Sequence, residues 1–131
     1  MTESDLLKLA REAWKNAYAP YSDFAVGAAL LCKNGKVFLG CNVENHSYSA
    51  GCCAERVALY GAISAGEREF TALAVTGWQR DSAPKVCMPC GICRQALSEF
   101  SHDLEIITGT PEDIKSYKLS ELIPHRFKMG V

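Results

Sequence analysis

The stretch Cys53-Ala54-Glu55-Arg56-Val57-Ala58-Leu59-Tyr60-Gly61-Ala62-Ile63-Ser64-Ala65 decides the fold. Ala54, Val57, Ala58, Gly61, Ala62 and Ala65 recur at helical spacing and predict a helix from Cys53 to about Ala65. The stripe is made of small residues, which lets another backbone come close. Downstream, Ala72–Thr76 reads as a strand and Gly77–Met88 as a loop. A further helix is expected from about Cys90 to Phe100, then a strand over Leu104–Thr108. A short fifth strand is expected near Ser116–Leu119, followed by an irregular tail.

Upstream, a polar loop from Glu44 to Gly51 separates the Cys53 helix from two apolar runs, Val26–Cys32 and Val37–Val43. Between the runs lies Lys33-Asn34-Gly35-Lys36, whose Asn-Gly pair marks a hairpin. Leu6, Ala10, Ala13 and Ala17 place a first helix over about Ser4–Ala17, capped by Thr2 or Ser4 and stopped by Pro20. The order is helix, hairpin, then helix–strand–helix–strand. Right-handed crossovers would put the helices on the faces of the sheet. The fold class expected is α/β: a three-layer α/β/α sandwich with a mixed sheet of about five strands.

At 131 residues, without repeats or linkers, one catalytic domain spanning 1–131 is expected. No run approaches the roughly 20 apolar residues of a membrane span. The acidic start Met1-Thr2-Glu3-Ser4-Asp5 is unlike a secretory signal, which points to the cytoplasm. Fourteen Lys and Arg against fifteen Asp and Glu, scattered along the chain, form no basic stripe for nucleic acid. An odd count of seven cysteines argues against a disulfide framework and for a metal or redox centre.

The chemistry is expected where Cys53-Ala54-Glu55 meets Pro89-Cys90-Gly91-Ile92-Cys93. A structural zinc site is closed by four protein ligands, whereas a catalytic one keeps three and leaves a position for water. Three thiolates on one zinc leave a surplus negative charge. Both cysteine motifs open helices, whose N-termini carry roughly half a positive charge each. Arg56 can add hydrogen bonds to the sulfurs. Cys53 is preferred over Cys52 as first ligand because it stands two residues before Glu55. The residues alone leave open a four-cysteine structural site that uses Cys52 or Cys87, a redox pair, or plain buried thiols.

With these motifs assembled, the chain resembles the homotetrameric cytidine deaminases over most of its length. Cys53-Ala54-Glu55-Arg56 and Pro89-Cys90-Gly91-Ile92-Cys93-Arg94-Gln95 are similar to that family's two zinc motifs. Ala19-Pro20-Tyr21-Ser22-Asp23-Phe24-Ala25-Val26-Gly27-Ala28-Ala29-Leu30 resembles its N-terminal signature, and Cys41-Asn42-Val43-Glu44-Asn45 its ribose-binding segment. The resemblance implies one zinc per chain on Cys53, Cys90 and Cys93, and Glu55 as proton shuttle in the deamination of cytidine and deoxycytidine. It implies that Asn42 and Glu44 bind the sugar 3′-hydroxyl, that Phe24 and Ala54 line the base, and that Tyr48 and Phe127 reach a neighbouring subunit's site. Pyrimidine salvage is the implied setting. The alternative is a blasticidin S-type or modified-nucleoside deaminase. His46, Ser47, Cys52 and the basic tail depart from the family pattern and bear on nucleoside preference.

Overall fold

The computed structural model describes residues 1–130. Helix α1 (Glu3–Trp14) is followed by strands β1 (Phe24–Cys32) and β2 (Val37–Cys41), helix α2 (Ala54–Ser64), strand β3 (Phe70–Gln79), helix α3 (Gly91–Ser98), strands β4 (Glu105–Thr110) and β5 (Asp113–Lys118), and helix α4 (Leu119–Leu122). The strands form one sheet in the order β2-β1-β3-β4-β5. Only β3 and β4 run parallel, joined by the crossover through α3; the other neighbours are antiparallel. The mixed five-stranded α/β sheet expected from the sequence is therefore the fold.

Alternation along the strands sorts two cores. Leu6, Leu7 and Ala10 of α1 pack on Ala29, Ala72, Ala74 and Ile107 on one face of the sheet. On the other face Ala58, Leu59 and Ala62 of α2 and Leu97 of α3 pack on Ala28, Leu30, Leu73 and Ile106. Residues one apart in sequence, such as Ala28 and Ala29 or Ile106 and Ile107, thus serve opposite layers, as the pleat requires.

Two glycines let the helices sit down on the sheet. A Cβ on Gly27 of β1 would lie 2.5 Å from the backbone nitrogen of Trp14 in α1 and would also strike Ala10 O. A Cβ on Gly40 of β2 would lie 2.5 Å from the backbone nitrogen of Ala58 and would strike Ala54 O. The small stripe of α2 is used as expected at Ala54 and Ala58, whereas Gly61 faces open space. At the end of α1 the indoles of Trp14 and Trp78 stack with centroids 4.1 Å apart. Arg11 covers the Trp78 ring and Arg80 the Trp14 ring, at 5.3 and 5.4 Å.

Several sequence-derived boundaries shift by a few residues, among them β1, which starts at Phe24, and β2, which ends at Cys41. Helix α1 stops at Trp14, three residues before Ala17, and Thr2 with Asp5 closes a capping box at its start. Strand β3 runs to Gln79 because Trp78 and Gln79 pair with Ala25 and Phe24 of β1, a partnership with no local signature. Strand β5 starts at Asp113, and the short helix α4 comes between it and the tail. The hairpin turn uses a left-handed backbone at Gly35 only (φ 93°), with Cys32 N–H bonded to Lys36 O at 2.8 Å.

Candidate metal centre

β4 pairs with β3 only from Ala72 to Ala74, so the last residues of β3 project beyond it. The segment after β3 folds back into that notch. Gly77 bridges Lys85, and the Thr108 hydroxyl accepts from Cys87 N–H at 3.3 Å and donates to Cys87 O at 2.7 Å. Three residues later the chain reaches Cys90, which stands just before α3. On the other side, Val43 pairs with both Tyr18 and Cys52 and so delivers Cys53 to the start of α2. Cys53 and Cys90 are both N-cap residues, and neither side chain caps the backbone N–H groups of its own helix. Their sulfurs are left free to meet.

They do meet. The Sγ atoms of Cys53, Cys90 and Cys93 all lie within 4.8 Å of one another. Cys53 to Cys90 is 3.6 Å and Cys90 to Cys93 is 3.4 Å. Tetrahedral zinc with bonds of about 2.3 Å to sulfur sets its ligands about 3.8 Å apart, so the cluster fits the ion with little movement. Arg56 Nη2 donates to the Cys53 sulfur at 3.6 Å, and its Nε is buried without a partner beside the cluster.

The charge state agrees. The Cys93 thiol donates to the Cys53 sulfur and, with Arg56, brings the Cys53 thiol down to about 5 despite burial. Cys93 is pushed up for the reciprocal reason, since it keeps the shared proton. The Cys53 thiolate meets zinc without proton competition, whereas Cys93 has to give up its proton on binding. Burial pushes Cys87 up to about 12 and also raises Cys52, so both remain thiols. Among the described residues, no fourth cysteine closes the cluster.

Glu55 occupies the first turn of α2 and is 3% exposed. Burial pushes its carboxyl up to about 7; the Cys53 thiolate also raises it, while its own backbone N–H and the Cys93 thiol pull the other way. A carboxyl balanced near neutrality next to a candidate metal cluster can both take and give protons.

A cavity of about 470 Å³ opens beside Cys53 and Arg56, with Asn42, Glu44 and Tyr48 also on its wall. Asn42 spends half of its amide on β1: Oδ1 accepts from Val26 N–H at 2.8 Å and Nδ2 donates to Phe24 O at 2.9 Å. One valence on each atom stays free. Glu44 is clasped by the turn before β1, where Tyr21 N–H and Ser22 N–H donate to Oε1 at 3.0 and 3.2 Å and the Ser22 hydroxyl to Oε2 at 2.5 Å. These donors, Ser22 Oγ foremost, hold the carboxyl below its usual range. The turn is made by Asp23 in the left-handed region (φ 59°), a conformation that suits Asp.

Of the other expected residues, Phe24 packs by Gly77 next to the Cys87 sulfur, and Ala54 is buried against Gly40; neither lines the cavity. Phe127 lies apart from it, along α3, with its carbonyl accepting from Gln95. Tyr48 is 88% exposed and Phe127 69%. Sequence reading assigned no role to Ser22 or Thr108. The first sits inside a quoted motif, but its partner is 22 residues away; the second carries no local signal.

The family profile described as "Cytidine and deoxycytidylate deaminase zinc-binding region" matches residues 1–110. The chain is 43% identical over 129 residues to a cytidine deaminase of Halalkalibacterium halodurans, covering 97% of this chain and 95% of that one. It superposes on the crystal structure of cytidine deaminase from Burkholderia pseudomallei with a TM-score of 0.88 and 44% identity, covering 97% of this chain and 100% of the other. Similarity to a blasticidin-S deaminase of Bacillus cereus is far lower, 26% over 106 residues, covering 78% and 76% of the two chains. The chain belongs to the cytidine and deoxycytidylate deaminase zinc-binding family.

Proposed function

We propose that this chain is a zinc-dependent cytidine deaminase, hydrolysing cytidine and deoxycytidine to uridine and deoxyuridine with release of ammonia. The observation that carries this reading is the buried Glu55 carboxyl beside three converging sulfurs at two helix starts. Zinc held by Cys53, Cys90 and Cys93 supplies a water that ionises near neutral pH, where bulk water does so near 15.7. Arg56 and the two helix N-termini offset the surplus charge of the thiolates.

Glu55 carries the protons. Its carboxyl, at about 7, is matched to take one proton from the attacking water and deliver it to ring N3, then to take the second from the added hydroxyl and pass it to the amine leaving C4. Addition of water at C4 and loss of ammonia complete the hydrolysis. Glu44, kept ionised by Tyr21 and Ser22, accepts from the sugar 3′-hydroxyl, and Asn42 uses its free valences on the same group. Such a pair accepts ribose and deoxyribose alike and disfavours free bases, which would leave it unpaired. Phe24 and Ala54 complete the base side.

The assembly in this reading is a homotetramer in which Tyr48 and Phe127 close a neighbour's site, one domain per chain spanning 1–131. The exposed rings of Tyr48 and Phe127 and the single continuous sheet support it. Pyrimidine salvage in the cytoplasm is the setting. Seven unpaired cysteines fit a reducing compartment, and no helix among the described residues is long and apolar enough to cross a membrane. Purified protein is tested by the fall in cytidine absorbance, with zinc counted per chain and blasticidin S assayed in parallel. Turnover of cytidine and deoxycytidine at one zinc per chain is expected; turnover of blasticidin S alone would overturn the reading.

A further inference from the structure

Beyond α4 the described residues, through 130, form no further helix or strand, yet the segment does not leave the body of the protein. It runs along α3, fastened through backbone carbonyls. Arg94 Nη1 donates to Leu122 O at 2.9 Å, Gln95 Nε2 donates to Phe127 O at 3.0 Å, and Arg126 donates to Ser98 O. His102 Nε2 lies 3.2 Å from Ile123 O. One of these fasteners also faces the other way: Arg94 Nε donates to Pro89 O at 2.8 Å.

Pro89 has no N–H, so its carbonyl is the one backbone group it can commit, and the buried Pro89 is the residue that places Cys90. The Cys90 sulfur has no hydrogen-bonding contact besides the sulfurs of Cys53 and Cys93. Its location therefore depends on the backbone that leads into it. A guanidinium is planar, keeps its charge at any working pH and offers several donors in a fixed fork. It can hold two carbonyls at a set separation where an ammonium holds them loosely.

We infer that Arg94 is a positioning residue that clamps the Pro89 carbonyl to the Leu122 carbonyl at the end of α4, so that the docking of α4 on α3 sets how firmly Cys90 and Cys93 hold the metal. This inference rests on the zinc reading of the cysteine cluster. Loss of supporting bonds around a zinc site typically weakens it by about 10–100-fold.

The test follows zinc transfer from the holoprotein to a chelating dye, with far-UV circular dichroism confirming that each variant is folded. Arg94→Ala is expected to release zinc about tenfold faster or more, and millimolar guanidinium ion to slow that release. Arg94→Lys falls between this variant and wild type, and carries the test if Arg94→Ala does not fold. Gln95→Ala, which frees only Phe127 O, is expected to release zinc at the wild-type rate. Wild-type release from folded Arg94→Ala, or equal acceleration by Gln95→Ala, would overturn the inference. A wild-type protein that never holds one zinc per chain would instead remove the zinc reading, and the inference with it.

Discussion

Gly40 of β2 lies directly against Ala58 of α2, with no room between them for one methyl group. This contact sets the height of α2 above the sheet, and with it the position of Cys53 at the helix start. Gly40→Ala should therefore cost about 1–3 kcal/mol of overpacking and weaken zinc binding as well. Gly61→Ala, in the same helix but facing open space, should add about 0.5–1 kcal/mol through helix propensity. Urea denaturation of the two variants reads both signs; equal effects would show that the contact is not what holds α2.

Glu55→Gln should keep zinc and lose deamination by about 10²–10⁴-fold or more, because an amide relays no proton. Initial rates at saturating cytidine, beside zinc per chain, check this. Full activity in the variant would remove Glu55 from the chemistry.

The same substitution should change how stability depends on pH in the zinc-free protein. Burial raises the Glu55 carboxyl from 4.5 to about 7, so folding favours its protonated form. Its contribution is whole below about pH 4.5 and is lost as pH rises through 7. At about 1.4 kcal/mol per pH unit across that window, the loss is between about 3 and 4 kcal/mol. Denaturant midpoints at pH 5 and pH 8.5 should show Glu55→Gln gaining on wild type at the higher pH; a gap that does not change with pH would contradict it.

Arg56→Gln should raise the Cys53 thiol toward its ordinary range, because one of the hydrogen bonds to its sulfur is removed while those with Cys93 and Cys90 remain. Zinc affinity should fall by about 10–100-fold, most steeply below pH 7 where protons compete best. Chelator competition across pH measures it. A uniform loss at every pH would mean that Arg56 acts on packing and not on charge.

Glu44→Gln and Asn42→Ala should separate binding from scaffold. Glu44→Gln is expected to raise KM for cytidine and deoxycytidine by similar factors, since the 3′-hydroxyl is common to both. Asn42→Ala should do the same and also lower stability by about 1–3 kcal/mol, because Val26 N–H and Phe24 O lose their partners. Steady-state kinetics with both nucleosides and a melting curve distinguish the two.

What the sequence disclosed was local. Small residues every third or fourth position announced α2, and Asn34-Gly35 announced the hairpin. The pair Cys90 and Cys93 was legible because its spacing turns both sulfurs to one side of a helix start, whereas joining Cys53 to it rested on the family resemblance. What stayed hidden was paired at long range. The end of β3 answers to Phe24 and Ala25, the charged residues Asp113, Lys115 and Lys118 disguise the edge strand β5, and the Asn42 amide is claimed by β1 through a hairpin register no motif prints. The fastening of α4 by Arg94 belongs to the same class, since its two carbonyls lie 33 residues apart in the chain.

Trp14 and Trp78 are the chain's two tryptophans, and they share one stack between Arg11 and Arg80. Tryptophan emission from this protein thus has a single origin, at the seam where α1 meets β3. A melting curve followed by that light records when the first helix lifts off, and any lag behind the loss of overall helicity would expose that helix as a separately fraying part.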